Sequence, residues 1–259
     1  MIRTLARSAF AALAVVSAAA SLPARSDTLV IPAGFENVDA DSSIGFPFGV
    51  PQLGSNLPYR FQQIYAGSEF GSFGDVITID ALRFRVDQPS NPGVRNPITV
   101  QSMEVRLATT TKSPDGLDTG STAALDSNLD GGDTTLGFAG TLAWDPCDES
   151  LCTLPAFDLE IALSQPFAFD PATQNLIVEF LNLSESFDIA LFDATASTQD
   201  GLSHVREVIN PTPPNDHLFP NPSSVGLVTQ FVYTVPEAGS EIAGGAAMLG
   251  VALLRRRRA

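Results

Sequence analysis

The chain has 259 residues with 14 basic and 29 acidic side chains, a formal net charge of −15. Between Ser21 and Pro236 the imbalance is sharper, with 8 basic and 27 acidic residues for a net of −19. A body this acidic repels DNA, RNA and anionic lipid, which sets nucleic-acid binding aside; attraction of divalent cations and a simply solvated acidic surface both fit it.

The first element is an export signal. Arg3 and Arg7 precede an apolar stretch from Ala9 to Ala20, and Ala18-Ala19-Ala20 supplies an A-x-A cleavage site. That order marks a secretory signal peptide, residues 1–20, recognised by the secretion machinery and cut by signal peptidase before Ser21. A cut at Ala24 and a short membrane anchor are the alternatives.

Residues 21–235 are long enough for one hydrophobic core, and all-β domains of this size are commonly single units. The Gly/Pro-rich stretch from Ile44 to Tyr59 places Phe46, Phe48 and Tyr59 as the best candidates for exposed aromatic rings. Period-2 alternation then recurs along the chain. Leu82, Phe84 and Val86 alternate with Arg83 and Arg85, and Met103, Val105 and Leu107 with Glu104 and Arg106. Phe157, Leu159, Ile161 and Leu163 follow the same rule, as do Phe187, Ile189 and Leu191. Such runs are strands with one buried face. Leu176 to Leu183 is apolar on both faces apart from Glu179 and Asn182, which predicts a central strand, and Phe231, Tyr233 and Val235 close the body.

Turn chemistry separates the runs: Gln88 to Gly93, Asp115-Gly116, Asp200-Gly201 and the proline-dense stretch from Asn210 to Pro222. About eight to ten strands with Gly/Pro turns predict an all-β fold, a two-sheet antiparallel sandwich of jelly-roll type. No amphipathic helix is expected in the body. The only helices foreseen are the N-terminal signal helix and a short hydrophobic one at the C-terminus.

Several constellations bear on chemistry. Asp126, Asn128, Asp130 and Asp133 lie in Asp126-Ser127-Asn128-Leu129-Asp130-Gly131-Gly132-Asp133. The first six residues match D-x-N-x-D-G, the opening half of a calcium loop, in which alternate oxygens wrap a hard cation. Gly137 stands where an EF-hand has its bidentate glutamate, so a full EF-hand is excluded. A calcium site on these four residues and a polar turn both fit. Cys147 and Cys152, five positions apart, are expected to form a disulfide in an oxidising compartment.

Catalysis has little to stand on. The chain has two histidines, His204 and His217, with Ser203 a candidate nucleophile and Asp200 or Asp216 a candidate orienting acid. There is no G-x-S-x-G elbow and no H-E-x-x-H.

The last segment has three parts. Pro236, Glu237 and Ala238 are followed by an apolar run from Ile242 to Leu254 and then by Arg255, Arg256, Arg257 and Arg258. As a helix the run is only about 20 Å long, short of the ~30 Å hydrocarbon core. The arginines resist translocation and hold the C-terminus on the cytoplasmic side. This describes a weak, temporary membrane anchor, with a permanent anchor and a buried helix as alternatives.

Val235-Pro236-Glu237, the Gly/Ala/Leu-rich run and the arginine cluster resemble the PEP-CTERM sorting signal, with Ala238 in place of that family's final proline. Tyr59 to Tyr65, Gln165 to Pro171 and Asn175 to Val178 are similar to segments in the β-rich bodies of the same group. The resemblance implies export, residence in the cell envelope, processing at residues 236–259 by an exosortase-like membrane protease, and an association with exopolysaccharide. The expected role is non-enzymatic, in the cell surface or extracellular matrix. The runner-up is a secreted glycan-binding module, with or without calcium, and the third reading is a glycan-active hydrolase.

Because the ring between the two cysteines is small, chain entropy assigns it about 2 kcal/mol. Cys147→Ser/Cys152→Ser should therefore still fold, with a stability loss of about 1–3 kcal/mol in urea. Two freely reactive thiols in protein isolated from the envelope would show that the bridge does not form.

Overall fold

Alternating apolar side chains need a surface to bury against, and here two sheets supply it for each other. The computed structural model describes residues 26–48, 58–71, 76–87, 98–145, 156–184, 190–209 and 223–236. The signal segment, both cysteines, Asp216, His217 and everything from Glu237 onward, including Ala238, the apolar run and Arg255 to Arg258, lie outside them.

In chain order the strands are β1 (Ser26–Ile31), β2 (Ser42–Ile44), β3 (Tyr59–Tyr65), β4 (Ile77–Phe84), β5 (Ile98–Thr110), β6 (Thr135–Trp144), β7 (Leu159–Phe169), β8 (Asn175–Asn182), β9 (Phe192–Thr195), β10 (Leu202–Val208), β11 (Gly226–Leu227) and β12 (Thr229–Thr234). A 3-10 turn, Gly67–Phe70, follows β3, and among the described residues one short helix, α1 (Thr122–Ser127), lies between β5 and β6 and buries Leu125, where no helix was foreseen in the body. Among the described residues no helix is long and apolar enough to cross a membrane.

One sheet has the order β1-β12-β4-β7, a second β10-β3-β8-β5-β6, and a small third sheet β11-β9-β2. Setting aside the short third sheet and the edge strand β10, eight strands remain. The first pairs with the last (β1 with β12), the second with the seventh (β3 with β8), the third with the sixth (β4 with β7) and the fourth with the fifth (β5 with β6), all antiparallel. That is one long hairpin rolled into two facing sheets, the jelly roll expected from the strand pattern. Both edges of the first sheet and the free edge of β6 follow from this winding.

The core lies between the sheets. Phe61, Val105, Leu107, Val178 and Phe180 come from one side, and Ile79, Leu82, Phe84, Ile161 and Phe231 from the other, all fully buried. β8 is a central strand as expected, flanked by β3 and β5. Met103, Val105 and Leu107 face inward, and so do Leu159, Ile161 and Leu163.

Three local expectations need correcting. Phe46, Phe48 and Tyr59 are buried, not exposed. The Phe48 ring centroid lies 4.7 Å from that of Phe192 and 5.0 Å from that of Phe84, so the Gly/Pro-rich stretch folds its aromatics into the sandwich. The second correction concerns Arg85. A register shift between Ile79 and Ala81 precedes this run, and Leu82, Phe84 and Val86 are buried as their alternation predicts, but Arg85, expected on the outer face, is only 1% exposed. Third, in the run Phe187, Ile189 and Leu191 the first two lie outside the described residues, and Leu191 precedes β9, whose four residues are all buried.

These placements make opposite forecasts for one substitution. A surface phenylalanine could be truncated at almost no cost, whereas Phe48→Ala in this core should lose about 3–5 kcal/mol, read as a lower urea midpoint.

Candidate functional site

The two faces of the five-stranded sheet divide the residues of β3, β5, β8 and β10 between core and outer surface. On the outer face Ile64, Ile177 and Val205 form an apolar patch that Leu117, Leu125 and Leu129 cover. Those leucines belong to the 111–134 excursion between β5 and β6, which contains α1. Ser121 starts that helix, its hydroxyl accepting the Ala124 amide at 3.0 Å. This second, smaller core seats the excursion on the sheet.

Beside the patch lies a buried polar cluster. Glu179, fully buried on β8, accepts from Arg60 Nε and from Gln62 Nε2, the latter at 2.7 Å. Its other oxygen faces Arg106 Nη1 at 3.5 Å, and Arg106 Nη2 holds Glu104 at 2.7 Å. Arg60 Nη1 reaches out to Asp126 of α1 at 2.6 Å. Taking a carboxylate and a guanidinium out of water costs several kcal/mol each, so the pairing has to be nearly complete. Gln62 supplies part of it and also donates to the Leu125 carbonyl at 2.9 Å. Glu207 joins the cluster from β10, accepting the Thr122 hydroxyl at 2.9 Å.

The four residues of the calcium-like pattern all lie on this excursion, each on a different partner. Asp126 pairs with Arg60. Asn128, fully buried at the end of α1, donates to Gln62 Oε1 at 2.9 Å and to the Asp118 carbonyl at 3.0 Å, and accepts the Asp118 amide at 2.8 Å. Asp130 accepts the Thr111 amide at 2.8 Å and the Thr111 hydroxyl. Asp133 accepts the Thr109 amide at 2.9 Å and its hydroxyl at 2.8 Å. Burial works to raise the Asp130 carboxyl, but the bonds from Thr111 and Thr110 and the charge of Lys112 outweigh it and hold the group below its ordinary value. Among the described residues no group of three or more His, Cys, Asp or Glu side chains is placed to hold a metal ion. The stretch expected as a loop of alternating ligands is the end of a helix followed by two carboxylates that tie it to the last residues of β5.

The candidate catalytic residues are likewise dispersed. Ser203 and His204 are consecutive on β10, so their side chains leave opposite faces of the strand. Ser203 Oγ accepts the Asp115 amide at 2.9 Å, while His204 Nδ1 bonds the Val225 carbonyl. Asp200 accepts the Leu202 amide at 3.1 Å and the Thr195 hydroxyl at 3.0 Å. Burial raises the Asp200 carboxyl, and burial together with the nearby Asp200 raises Glu69. Among the described residues, Ser203, His204 and Asp200 form no triad; Asp216 and His217 lie outside them. Trp144, the single tryptophan, packs on Phe192 with ring centroids 5.7 Å apart.

A second buried ion pair has no signature in the sequence pattern. Arg85 and Asp193 are each 1% exposed and salt-bridged, and Arg85 also donates to the Phe35 and Val38 carbonyls. Asp193 accepts the Ala40 amide at 2.9 Å, so the pair pins the 35–40 stretch to β9. Burial outweighs Arg85 here and raises the Asp193 carboxyl. For the first cluster a signal did exist, the lone Glu179 within an apolar strand. A scan against protein-family models and searches of curated proteins and of solved structures returned no match for this chain.

The placement of Asp130 gives a measurable distinction. As a structural tie it should matter without any ion, so Asp130→Ala should lower the melting temperature in calcium-free buffer, by the equivalent of about 1 kcal/mol. A residue that acts only as an ion ligand would show its loss only when calcium is added.

Proposed function

We propose that the protein is an exported component of the cell envelope or extracellular matrix with a non-enzymatic structural role, delivered through its C-terminal signal. The carrying observation is the order of the tail: Pro236-Glu237-Ala238, the apolar run from Ile242 to Leu254, then Arg255 to Arg258. The signal-peptide pattern at the other end supports export. The strongly acidic body suits a protein that must stay soluble outside the cell.

The described body adds a further argument. Its conspicuous polar side chains, Glu179, Arg60, Asn128, Asp130 and Asp133 among them, are committed to holding strands and the excursion together. A rigid body of that kind serves as a spacer or scaffold. On this reading the processing partners are signal peptidase and an exosortase-like membrane protease, and the matrix partner is exopolysaccharide.

Intact-mass measurement of material released from cells tests the proposal. The mature protein should begin at Ser21 and lack the segment after roughly Glu237. Released protein that retains Arg255 to Arg258 would overturn processing. Protein found only in the inner membrane would replace the temporary anchor with a permanent one.

A further inference from the structure

His204 occupies a mechanical junction. Along one side β10 pairs with β3 over its whole length, from Leu202 opposite Tyr65 to Val208 opposite Tyr59. On the other side it meets the 223–225 segment through His204. The His204 amide donates to the Ser223 carbonyl at 2.9 Å, the Ser223 amide returns a bond to His204 O at 2.8 Å, and the imidazole Nδ1 bonds the Val225 carbonyl. Opposite His204 on β3, Gln63 grips the next part of the same segment, donating to Leu227 O at 3.0 Å and accepting Leu227 N at 2.8 Å. The chain then pairs with β9 and runs into β12, an inner strand of the other large sheet. Residues 223–228 are therefore a strap between the sheets, and His204 makes three of its bonds.

Burial, not the bond itself, favours a neutral ring at this junction. The Val225 carbonyl only accepts, so Nδ1 carries a hydrogen, and in the neutral ring Nε2 is the basic nitrogen. The ring is 3% exposed and stacks on Phe61, with centroids 4.8 Å apart and planes at 22°. The neighbours on β3, Phe61 and Gln63, are uncharged, as are Ser223, Val225 and Leu227 on the strap. The charged group acting on the ring among the described residues is Arg206, a cation further along β10 whose guanidinium lies 4.3 Å over Phe46. A proton added to Nε2 would thus enter a buried site already under a positive charge.

We propose that His204 is an acid-sensitive latch: protonation of its imidazole releases residues 223–227 from β10 and β3 while the rest of the sandwich stays folded. Local release is favoured over global unfolding because the strap, although Gly226 and Leu227 also pair with β9, exposes far less apolar surface on opening than separation of the sheets would. Burial, helped by Arg206 and opposed by the Val225 bond, pushes the folded-state value down to about 4 from the ordinary 6.5. For a base depressed in this way the closed state is favoured at neutral pH. That advantage is lost as pH falls from about 6.5 towards 4, because the opened state takes up the proton first.

Hydrogen exchange of the full chain, corrected for the intrinsic pH dependence of amide exchange, tests this between pH 7 and 4.5. Peptides covering 223–228 should lose protection by at least about tenfold across that range while β8 and β12 keep theirs. His204→Gln can still donate to the Val225 carbonyl and does not titrate, so its strap should stay protected throughout. His204→Phe keeps the stacking and loses the bond, so its strap should exchange faster at every pH, with no acid step. Wild-type protection that is flat across the range overturns the latch, as does an equal acid step in His204→Gln. Should neither variant fold, the ring titration of His204 in the wild type, assigned against His217→Gln, decides. A depressed midpoint that coincides with strap opening supports the latch, and an ordinary midpoint without opening overturns it.

Discussion

Glu179 sits at the middle of the five-stranded sheet with no exposure to solvent, and its charge has to be matched from within the protein. That requirement organises much of one side of the molecule. Arg60 and Gln62 from β3 and Arg106 from β5 converge on the carboxylate because in-register antiparallel pairing brings Gln62 and Arg106 opposite Glu179 on its two sides. The cluster then reaches beyond the sheet, through Arg60 to Asp126 and through Gln62 to Leu125 and Asn128, and so seats the 111–134 excursion. Removing one partner of such a buried pair typically costs about 3–5 kcal/mol, because the charge left behind is stranded. The Arg85–Asp193 pair does a similar job between the end of β4 and β9 of the small third sheet, where it anchors the 35–40 stretch instead of a helix.

Both pairs lie where chain far apart in sequence is drawn together by the rolled hairpin. Arg60 and Glu179 are adjacent because the second strand of the eight pairs with the seventh, and Arg85 and Asp193 because β9 returns beside the end of β4. The fold is thus held in two ways. The aromatic core of Phe48, Phe84, Phe180 and Phe192 supplies non-directional attraction. The buried ion pairs add direction, since a slipped register would leave charges unmatched. For a proposed scaffold exposed to the outside of the cell, that combination favours a single well-defined shape over adaptable binding surfaces.

Residues with the composition of a ligand site can also bond within the protein. Asp, Asn and Gly at alternate positions suit calcium because they offer oxygens and tight turns, and the same properties suit the return of a loop onto a strand. In residues 126–133 Asp126 meets Arg60, Asp130 and Asp133 meet the amides and hydroxyls of Thr111 and Thr109, and the amide of Asn128 meets Gln62 and the Asp118 backbone. Ser203 and His204 teach the same lesson: adjacency in sequence sends their side chains to opposite faces of β10.

The strand pattern is legible in the amino-acid sequence because it is local. Alternation at Met103 to Leu107 and at Leu159 to Leu163, and the doubly apolar run around Glu179, report burial directly along the chain. The Gly and Pro turns report where strands end, and together they determine an all-β sandwich. What they could not determine was anything set by residues distant in sequence. The burial of Phe46, Phe48 and Tyr59, the register shift after Ile79, the burial of Arg85 and the separate partners of Asp126, Asn128, Asp130 and Asp133 all depend on which strand arrives opposite. Side-chain period is a property of one strand, whereas charge matching and aromatic packing are properties of the pairs, and only the tertiary structure makes those pairs.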